Sequence, residues 1–222
     1  MNITSWFRRL STIALAILVS LTIFSLPAHA FVGANVEKLL STNACVNCDL
    51  SKADLSNQDL YGSALNGANL SDANLSNTLL NDAKFKGANL TRANLSGAIS
   101  MGTDWSNANL TEAKLAGADL YNALLSNTKL LNADLTEADL TEAIISDADL
   151  SNAIGKNAKL KSAILSRAIL SGADFSNSYM RNTKLSQAKL KGTKLSGADL
   201  ANALMPDGTT YNGDVTKFEA LQ

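Results

Sequence analysis

The sequence predicts an all-β solenoid, in which short extended segments wind into a long coil. Two observations support this prediction. Every fifth residue from Leu50 to Met205 is apolar, with Ser100 and Gly155 as the exceptions. The residue two positions before each of these central residues is small except for Gln58, and it is most often Ala. Repetition at a constant period is typical of solenoids, in which each repeat contacts its neighbours.

The period of five excludes both regular alternatives. Five residues of an α-helix advance the apolar side chains by about 140°, which spreads them around the whole helix. In a straight strand, an odd period sends successive central residues to opposite faces. The chain keeps every central residue inside only if it turns within each repeat. We therefore expect the central and small residues to point inward and the other three to point outward.

Two pairs of irregular residues indicate that four repeats complete one coil. Phe85 and Trp105 are twenty residues apart, so four-repeat coils stack their rings directly. Gly155 leaves a gap inside the coil, and Phe175, twenty residues later, is large enough to fill it. Coils of three repeats explain neither pair.

The repeat unit resembles that of a known family. Units such as Ala-Asp-Leu-Thr-Glu at 133–137 are similar to those of pentapeptide repeat proteins, and residues 48–207 follow this pattern without interruption. The resemblance implies a right-handed quadrilateral β-helix. Its eight or so coils would extend about 38 Å at a strand spacing of about 4.8 Å.

The first thirty residues predict a cleaved signal peptide. Arg8 and Arg9 precede an apolar segment at 10–26, and Ala28-His29-Ala30 is a small-x-small cleavage site. The alternative is an uncleaved membrane anchor, because about 17 apolar residues approach the length that spans a bilayer. The placement of the cleavage site favours export, with no integral membrane segment left after cleavage.

Export removes the only histidine, His29, together with two arginines. The remaining chain has 17 basic and 20 acidic residues, a net charge of −3. Without an imidazole it lacks the usual general base, serine activator and metal ligand. The carboxylates lie almost entirely at outward positions, where Asp and Asn suit turns by bonding nearby backbone. We therefore expect no catalytic, cofactor-binding or metal-binding residues and no enzymatic activity.

Residues 31–47 are expected to cap the first coil. Val36, Leu39 and Leu40 are spaced as on one face of a short amphipathic helix. Such a cover protects the open end of a solenoid, which exposes apolar side chains and unpaired backbone.

Residues 208–222 are expected to form the opposite cap. The segment Met205-Pro206-Asp207-Gly208 predicts a turn. Val215, Phe218 and Leu221 then recur at three-residue steps, which suits a short helix over the last coil.

Cys45 and Cys48 form a Cys-x-x-Cys motif with two interpretations. One is a thiol–disulfide oxidoreductase, although the βαβ context typical of such motifs is absent. The other is a structural role, as a disulfide between the cap and the first coil or as free buried thiols, and export makes oxidation plausible. The signal peptide, cap and Cys-x-x-Cys-Asp-Leu start also look similar to exported cyanobacterial members of the family. That similarity implies the thylakoid lumen or the periplasm.

Charge is segregated along the chain. Between Asp104 and Asp149 there are nine acidic and two basic residues, whereas Lys156 to Lys194 holds nine basic residues and one acidic residue. One interpretation is that neighbouring coils attract each other. The other is a docking surface for an acidic protein or an anionic membrane.

Three outward residues predict an apolar stripe. Leu124, Ile144 and Ile164 each precede a central residue and are spaced by twenty residues, so four-repeat coils align them on one face. Lys184 interrupts the series and Leu204 resumes it. The stripe is either a homodimer seam or partner site, or neutral variation on a tolerant surface.

The favoured function is a non-enzymatic scaffold rod that binds an unknown protein partner. Two alternatives are inhibition of a topoisomerase by DNA mimicry, known in relatives, and lumenal thiol oxidation through Cys45 and Cys48. Export and the basic C-terminal third disfavour mimicry. Nucleic-acid binding is also disfavoured, because only Tyr179 interleaves an outward aromatic among the basic residues.

Overall fold

The computed structural model describes residues 28–214. Helix α1 spans Ala28–Thr42. From Ala44 to Leu204 the chain forms isolated parallel β-bridges, each joining a residue to the one twenty positions later. The spacing confirms that four five-residue repeats complete one coil. Of the predicted signal peptide at 1–30, only residues 28–30 are among the described residues, where they form the start of α1.

The β-structure consists of single bridges because the chain turns in every repeat. The second residue after each centre has a positive φ, at every fifth position from Asn47 to Asn202. The N–H of the next inward small residue then donates to the carbonyl of the centre, as Ala53 N does to Leu50 O at 3.1 Å. This bond, with positive φ at the second turn residue alone, is the pattern of a type II turn. Each repeat therefore contributes a single residue to the β-bridges between coils.

The repeat at 134–138 satisfies all five of its backbone N–H groups. Four of them donate to backbone carbonyls at 2.6 to 3.0 Å. The fifth, that of Thr136, donates to Asp134 Oδ1 at 3.0 Å. A carbonyl-like oxygen in the residue before the centre therefore completes the turn, as the sequence predicted for Asp and Asn. This bond explains why so many repeats carry Asp or Asn there.

The core is a stack of the central residues and the small residues before them. Every centre from Leu50 to Met205 is buried. The small positions are buried too, except that Gln58 and Ala198 are partly exposed. Burial of one Leu side chain contributes roughly 1.5–3 kcal/mol, so the column of leucines is the main source of stability.

Ser100, one of the two central residues that are not apolar, is a hydrogen-bond partner of the buried Trp105. The rings of Phe85 and Trp105 stack with centroids 4.2 Å apart and planes inclined by 12°, as the twenty-residue spacing predicted. The Trp105 indole N–H donates to Ser100 Oγ at 3.2 Å. The Ser100 hydroxyl in turn donates to Thr103 Oγ1 at 2.9 Å. A leucine at position 100 would leave the buried indole N–H without this partner.

Gly155, the other exception, makes room for an aromatic ring. A Cβ atom at Gly155 would lie 2.2 Å from Cε1 of Phe175, which is well inside van der Waals contact. The predicted filling of the gap at Gly155 by Phe175 is therefore confirmed.

Helix α1 covers the first coil through Val36 and Leu39, as predicted, but without Leu40. Leu39 is fully buried, and Val32 and Val36 pack against the core. Leu40 is 49% exposed, so its predicted place in the buried face is wrong. The next residue on a helix is rotated by about 100°, and Leu40 therefore turns away from the coil that Leu39 contacts. Asn43, with a φ of 54°, ends the helix in the left-handed conformation.

The last coil ends in a reversal of the chain. Gly208 N donates to Met205 O at 2.9 Å, which confirms the predicted turn. Thr210 then pairs antiparallel with Leu204, and Tyr211 packs against the core. This pairing ends the parallel ladder and covers part of its edge. The predicted helix through Val215, Phe218 and Leu221 lies outside the described residues.

Replacing Gly155 with Ala should destabilise the fold by about 1–3 kcal/mol, because the new methyl group collides with the Phe175 ring. Chemical denaturation of Gly155→Ala, Phe175→Leu and the double variant measures this. The smaller leucine should relieve the collision, so the double variant should be more stable than the sum of the single effects by about 0.5–3 kcal/mol. Strictly additive effects would show that the two residues do not share one space.

Candidate functional site

The apolar stripe of Leu124, Ile144 and Ile164 lies on one side of the coil. Parallel bridges join Leu124 to Ile144 and Ile144 to Ile164, so the three residues stand in one column, a strand spacing of about 4.8 Å apart. Leu124 is 38% exposed, and the two isoleucines are half-buried. The same column continues through Lys184 to Leu204.

A second apolar surface, which the sequence analysis missed, lies along the adjoining corner of the coil. Tyr61, Asn81, Asp82, Met101 and Tyr121 line an open groove of about 330 Å³, called the tyrosine groove below. Its signal was in the sequence: positions 61, 81, 101 and 121 are the first turn residues of four successive coils. Large side chains are unusual there, where Ser or Thr is more common.

The two tyrosines of the groove are held by carboxylates of the next coil. The Tyr121 hydroxyl donates to Glu142 Oε2 at 2.7 Å. This bond, reinforced by the charge of Glu142, raises the pKa of Tyr121. A side-chain hydrogen bond to Asp82 raises the pKa of Tyr61 in the same way. Both hydroxyls therefore interact with the rod, and Tyr61 and Tyr121 remain 58% and 36% exposed.

The two cysteines lie at the junction of helix α1 and the coil. Their sulfur atoms are 2.06 Å apart and their Cα atoms 5.3 Å apart, which is the spacing of a bonded pair. Cys45 is fully buried and Cys48 is 8% exposed. Cys45 also faces inward like a central residue. The first β-bridge is formed by Ala44, so the coil begins one repeat earlier than the predicted start at residue 48. A catalytic thiolate requires more access than either sulfur has.

Ion pairs join neighbouring coils, mainly in the basic C-terminal third. Lys159 with Asp139 and Arg167 with Asp147 link the acidic middle to the basic coils. The other pairs among residues 28–214 are Lys156 and Lys194 with Asp174, Arg181 with Asp199, and Arg92 with Asp72. The column geometry thus supports the interpretation in which adjacent coils attract each other. Such exposed pairs are individually weak.

Asp147 shows the electrostatic effect of this stacking. Arg167 donates from Nε and Nη2 to the two oxygens of Asp147. These hydrogen bonds, with the charge of Arg167, lower the pKa of Asp147 from its ordinary value. Asp199 has a lowered pKa for the same reason, through Arg181.

Two further properties concern residues 28–214 alone. They contain no group of three or more His, Cys, Asp or Glu side chains arranged to hold a metal ion. They also contain no helix whose length and apolar character would suffice to cross a bilayer.

Comparison with known sequences identifies the repeats. The family model described as pentapeptide repeats matches in eight copies, within residues 45–77, 68–99, 88–127, 118–154, 156–192 and 168–205. These segments cover well over half of the chain. No curated protein sequence is significantly similar to it.

Several solved structures are similar to the chain. HetL, a pentapeptide repeat protein involved in heterocyst differentiation regulation from the cyanobacterium Nostoc sp. strain PCC 7120, is 29% identical. The match covers 79% of this chain and 98% of HetL, with a TM-score of 0.40. A trypsin-treated form of QnrB1, a plasmid-mediated fluoroquinolone resistance protein, is 24% identical over 72% of this chain and 81% of its own, with a TM-score of 0.48.

A pentapeptide repeat protein from the Arabidopsis thaliana thylakoid lumen is 26% identical over 63% of this chain and 70% of its own, with a TM-score of 0.18. All three TM-scores are below 0.5, so the family assignment depends on the repeat match and not on these structures.

Replacing Arg167 with Gln should raise the pKa of Asp147 toward about 3.9, the value of an unperturbed Asp. Because the pKa of Asp147 is lower in the folded state, the ion pair contributes fully to the free energy of unfolding above the unfolded-state pKa. This contribution is lost as the pH falls through the folded-state pKa. Carboxyl-carbon NMR titration of both proteins measures the shift. An Asp147 titration unchanged by the substitution would contradict the pairing.

Proposed function

The chain belongs to the pentapeptide repeat family, and we propose that it serves as an exported, non-enzymatic scaffold that binds a protein partner through the outer faces of its coil. Members of this family fold as right-handed quadrilateral β-helices. In such a rod two of every five residues build the core. The other three are available for recognition, which is how solenoids generally use their extended surfaces.

The apolar stripe is the observation that carries this proposal. Leu124, Ile144 and Ile164 occupy positions where most repeats have Asp, Asn or Lys. The backbone bridges of the coil align the three side chains without any help from packing between them. An aligned apolar surface favours contact with another protein, either a second copy of the chain or a different partner.

The proposed compartment is the thylakoid lumen or the periplasm. The pattern of the first thirty residues supports export. An oxidising compartment would also sustain the bond between Cys45 and Cys48, which we propose joins two successive inward positions at the start of the coil, just after helix α1.

The contacts disfavour both alternative functions. DNA mimicry requires a continuous negative surface, but the coils after Asp149 carry nine basic residues between Lys156 and Lys194. Thiol oxidoreductase activity requires an accessible nucleophile, whereas Cys45 is fully buried beneath helix α1. A structural pair of cysteines accounts for the motif better.

Replacing Ile144 with Lys should abolish partner binding through the stripe, because it places a charge in the middle of the apolar surface. Tagged wild-type and variant proteins are used to recover partners from the native compartment, and gel filtration of each protein shows whether the partner is a second copy.

The matched control is Ile154→Lys, since Ile154 is 43% exposed and precedes a centre in the same way. Its neighbours in the column are Asp134 and Asp174, so it belongs to no apolar stripe. Equal recovery and equal elution for wild type and Ile144→Lys would exclude the stripe as the binding surface.

A disulfide between Cys45 and Cys48 predicts how many thiols react with maleimide before and after reduction. Protein purified from its native compartment and unfolded without reductant should bind no maleimide, and after reduction it should bind two per chain, as measured by mass spectrometry. Cys45→Ser should lower the free energy of unfolding by about 2 kcal/mol, the loop-closure value for so short a loop. Two reactive thiols before reduction would refute the bond, and insulin-reducing activity lost in Cys45→Ser would instead support the oxidoreductase.

A further inference from the structure

The tyrosine groove is about as long as a short extended peptide. Tyr61 and Tyr121 are three coils apart, which corresponds to about 14 Å along the rod at about 4.8 Å per coil. Four extended residues span a similar length. The second turn residues Gly62 and Gly102 carry no side chains, and the corner between the two rings is therefore open.

Apolar side chains lie in the groove and along one flank of it. Met101 is 39% exposed between the two tyrosines. Leu79 and Ile99 are joined by a β-bridge on the adjoining side of the coil and are 40% and 38% exposed. Leu79 lies two residues before Asn81, and Ile99 lies two residues before Met101, so each points outward on the same side as that groove residue. Together with Tyr61 and Tyr121, these residues form an apolar surface that is distinct from the stripe.

The charges around this surface are negative. Two surfaces are counted between positions 58 and 142: the side of the coil that holds Leu79 and the corner that holds the groove. Together they contain no Lys or Arg and five carboxylates, which are Asp59, Asp82, Asp119, Asp139 and Glu142. Among the ion pairs of the described residues, only Asp139 is a member, through Lys159. Lys84 lies on the next side of the coil, where a backbone bridge places it next to Asp104. The groove is therefore complementary to a cation.

Asp82 is the carboxylate inside the groove. It lines the groove beside Met101, and its interaction with the Tyr61 hydroxyl raises the pKa of Tyr61. An ionised carboxylate has two oxygens and about four acceptor sites, so Asp82 can accept from an ammonium or guanidinium donor as well as from Tyr61. The aliphatic stem of such a side chain would lie against Met101, and its charged end would approach the faces of the tyrosines.

We infer that the tyrosine groove binds a short extended protein segment in which Lys or Arg alternates with apolar residues. The apolar side chains cover Met101, Leu79 and Ile99, and the cation meets Asp82. The inference concerns a surface separate from the apolar stripe, so the Ile144→Lys experiment and the one below succeed or fail independently.

The test uses a fluorescein-labelled six-residue peptide of alternating leucine and lysine, with fluorescence anisotropy as the readout. Two comparison peptides replace lysine by glutamate or leucine by serine. Wild type should bind the leucine–lysine peptide at least tenfold more tightly than either comparison peptide. Binding should weaken as salt is raised, because the contact is partly electrostatic and exposed.

The variants are chosen from residue types that the coil already accepts at the same positions. Asp82→Lys places Lys where Lys52 already has a φ of 59°, and Tyr121→Ser places Ser at a first turn position, where it is common. Each should weaken binding at least tenfold. Tyr179→Ser is the matched control, because Tyr179 is 56% exposed on the same side of the coil but lies outside the groove.

The inference is overturned if wild type does not bind the leucine–lysine peptide, or if Asp82→Lys and Tyr121→Ser bind it as tightly as wild type. Equal affinity for the serine–lysine peptide would also overturn it, since charge alone would then explain the binding. Circular dichroism of each variant, matched to wild type, shows that a loss of binding does not come from loss of the fold.

Discussion

The turn in every five-residue repeat governs the rest of this structure. The second turn residue adopts a positive φ at every repeat from Asn47 to Asn202, and the side chain before the centre often supplies the hydrogen bond that the first turn residue needs, as Asp134 does for Thr136. Once the chain turns at this interval, the central residue must face inward. Four turns then return the backbone to the same side, and the coil-to-coil hydrogen bonds hold the register at twenty residues.

A fixed register makes the outer surface a set of columns. Residues twenty apart in sequence lie next to each other in space, whatever their side chains are. The ion pair of Arg167 with Asp147 and the apolar stripe of Leu124, Ile144 and Ile164 both arise from this alignment. Because the backbone pairing fixes the columns, their side chains can vary without loss of the fold. The outside of the rod can therefore carry recognition sites, which is the basis of both interaction surfaces proposed for this chain.

The irregular residues show how far local sequence can be interpreted. The pairing of Phe85 with Trp105 and of Gly155 with Phe175 was predictable, because each pair is one coil apart and differs from the surrounding leucines. The partnership of Ser100 with Trp105 was not, since it joins adjacent sides of one coil through an indole N–H whose direction depends on packing. Leu40 was misplaced for a related reason. Its spacing fits an amphipathic helix, but the way in which α1 docks on the first coil places Val32, and not Leu40, beside Val36 and Leu39.

The sequence by itself determined the inward and outward positions, the four-repeat coil and the aligned stripe, because each depends on a period that backbone geometry permits in one way. The family followed from the resemblance of the repeat units. Only the tertiary structure decided where α1 lies, how the chain reverses after Met205 and that Tyr61, Asp82, Met101 and Tyr121 share one groove. These features depend on the directions of individual side chains and on which space their neighbours leave open. A groove at a corner is formed by residues from several coils, and here Gly102 lines it together with Tyr61, Asp82, Met101 and Tyr121.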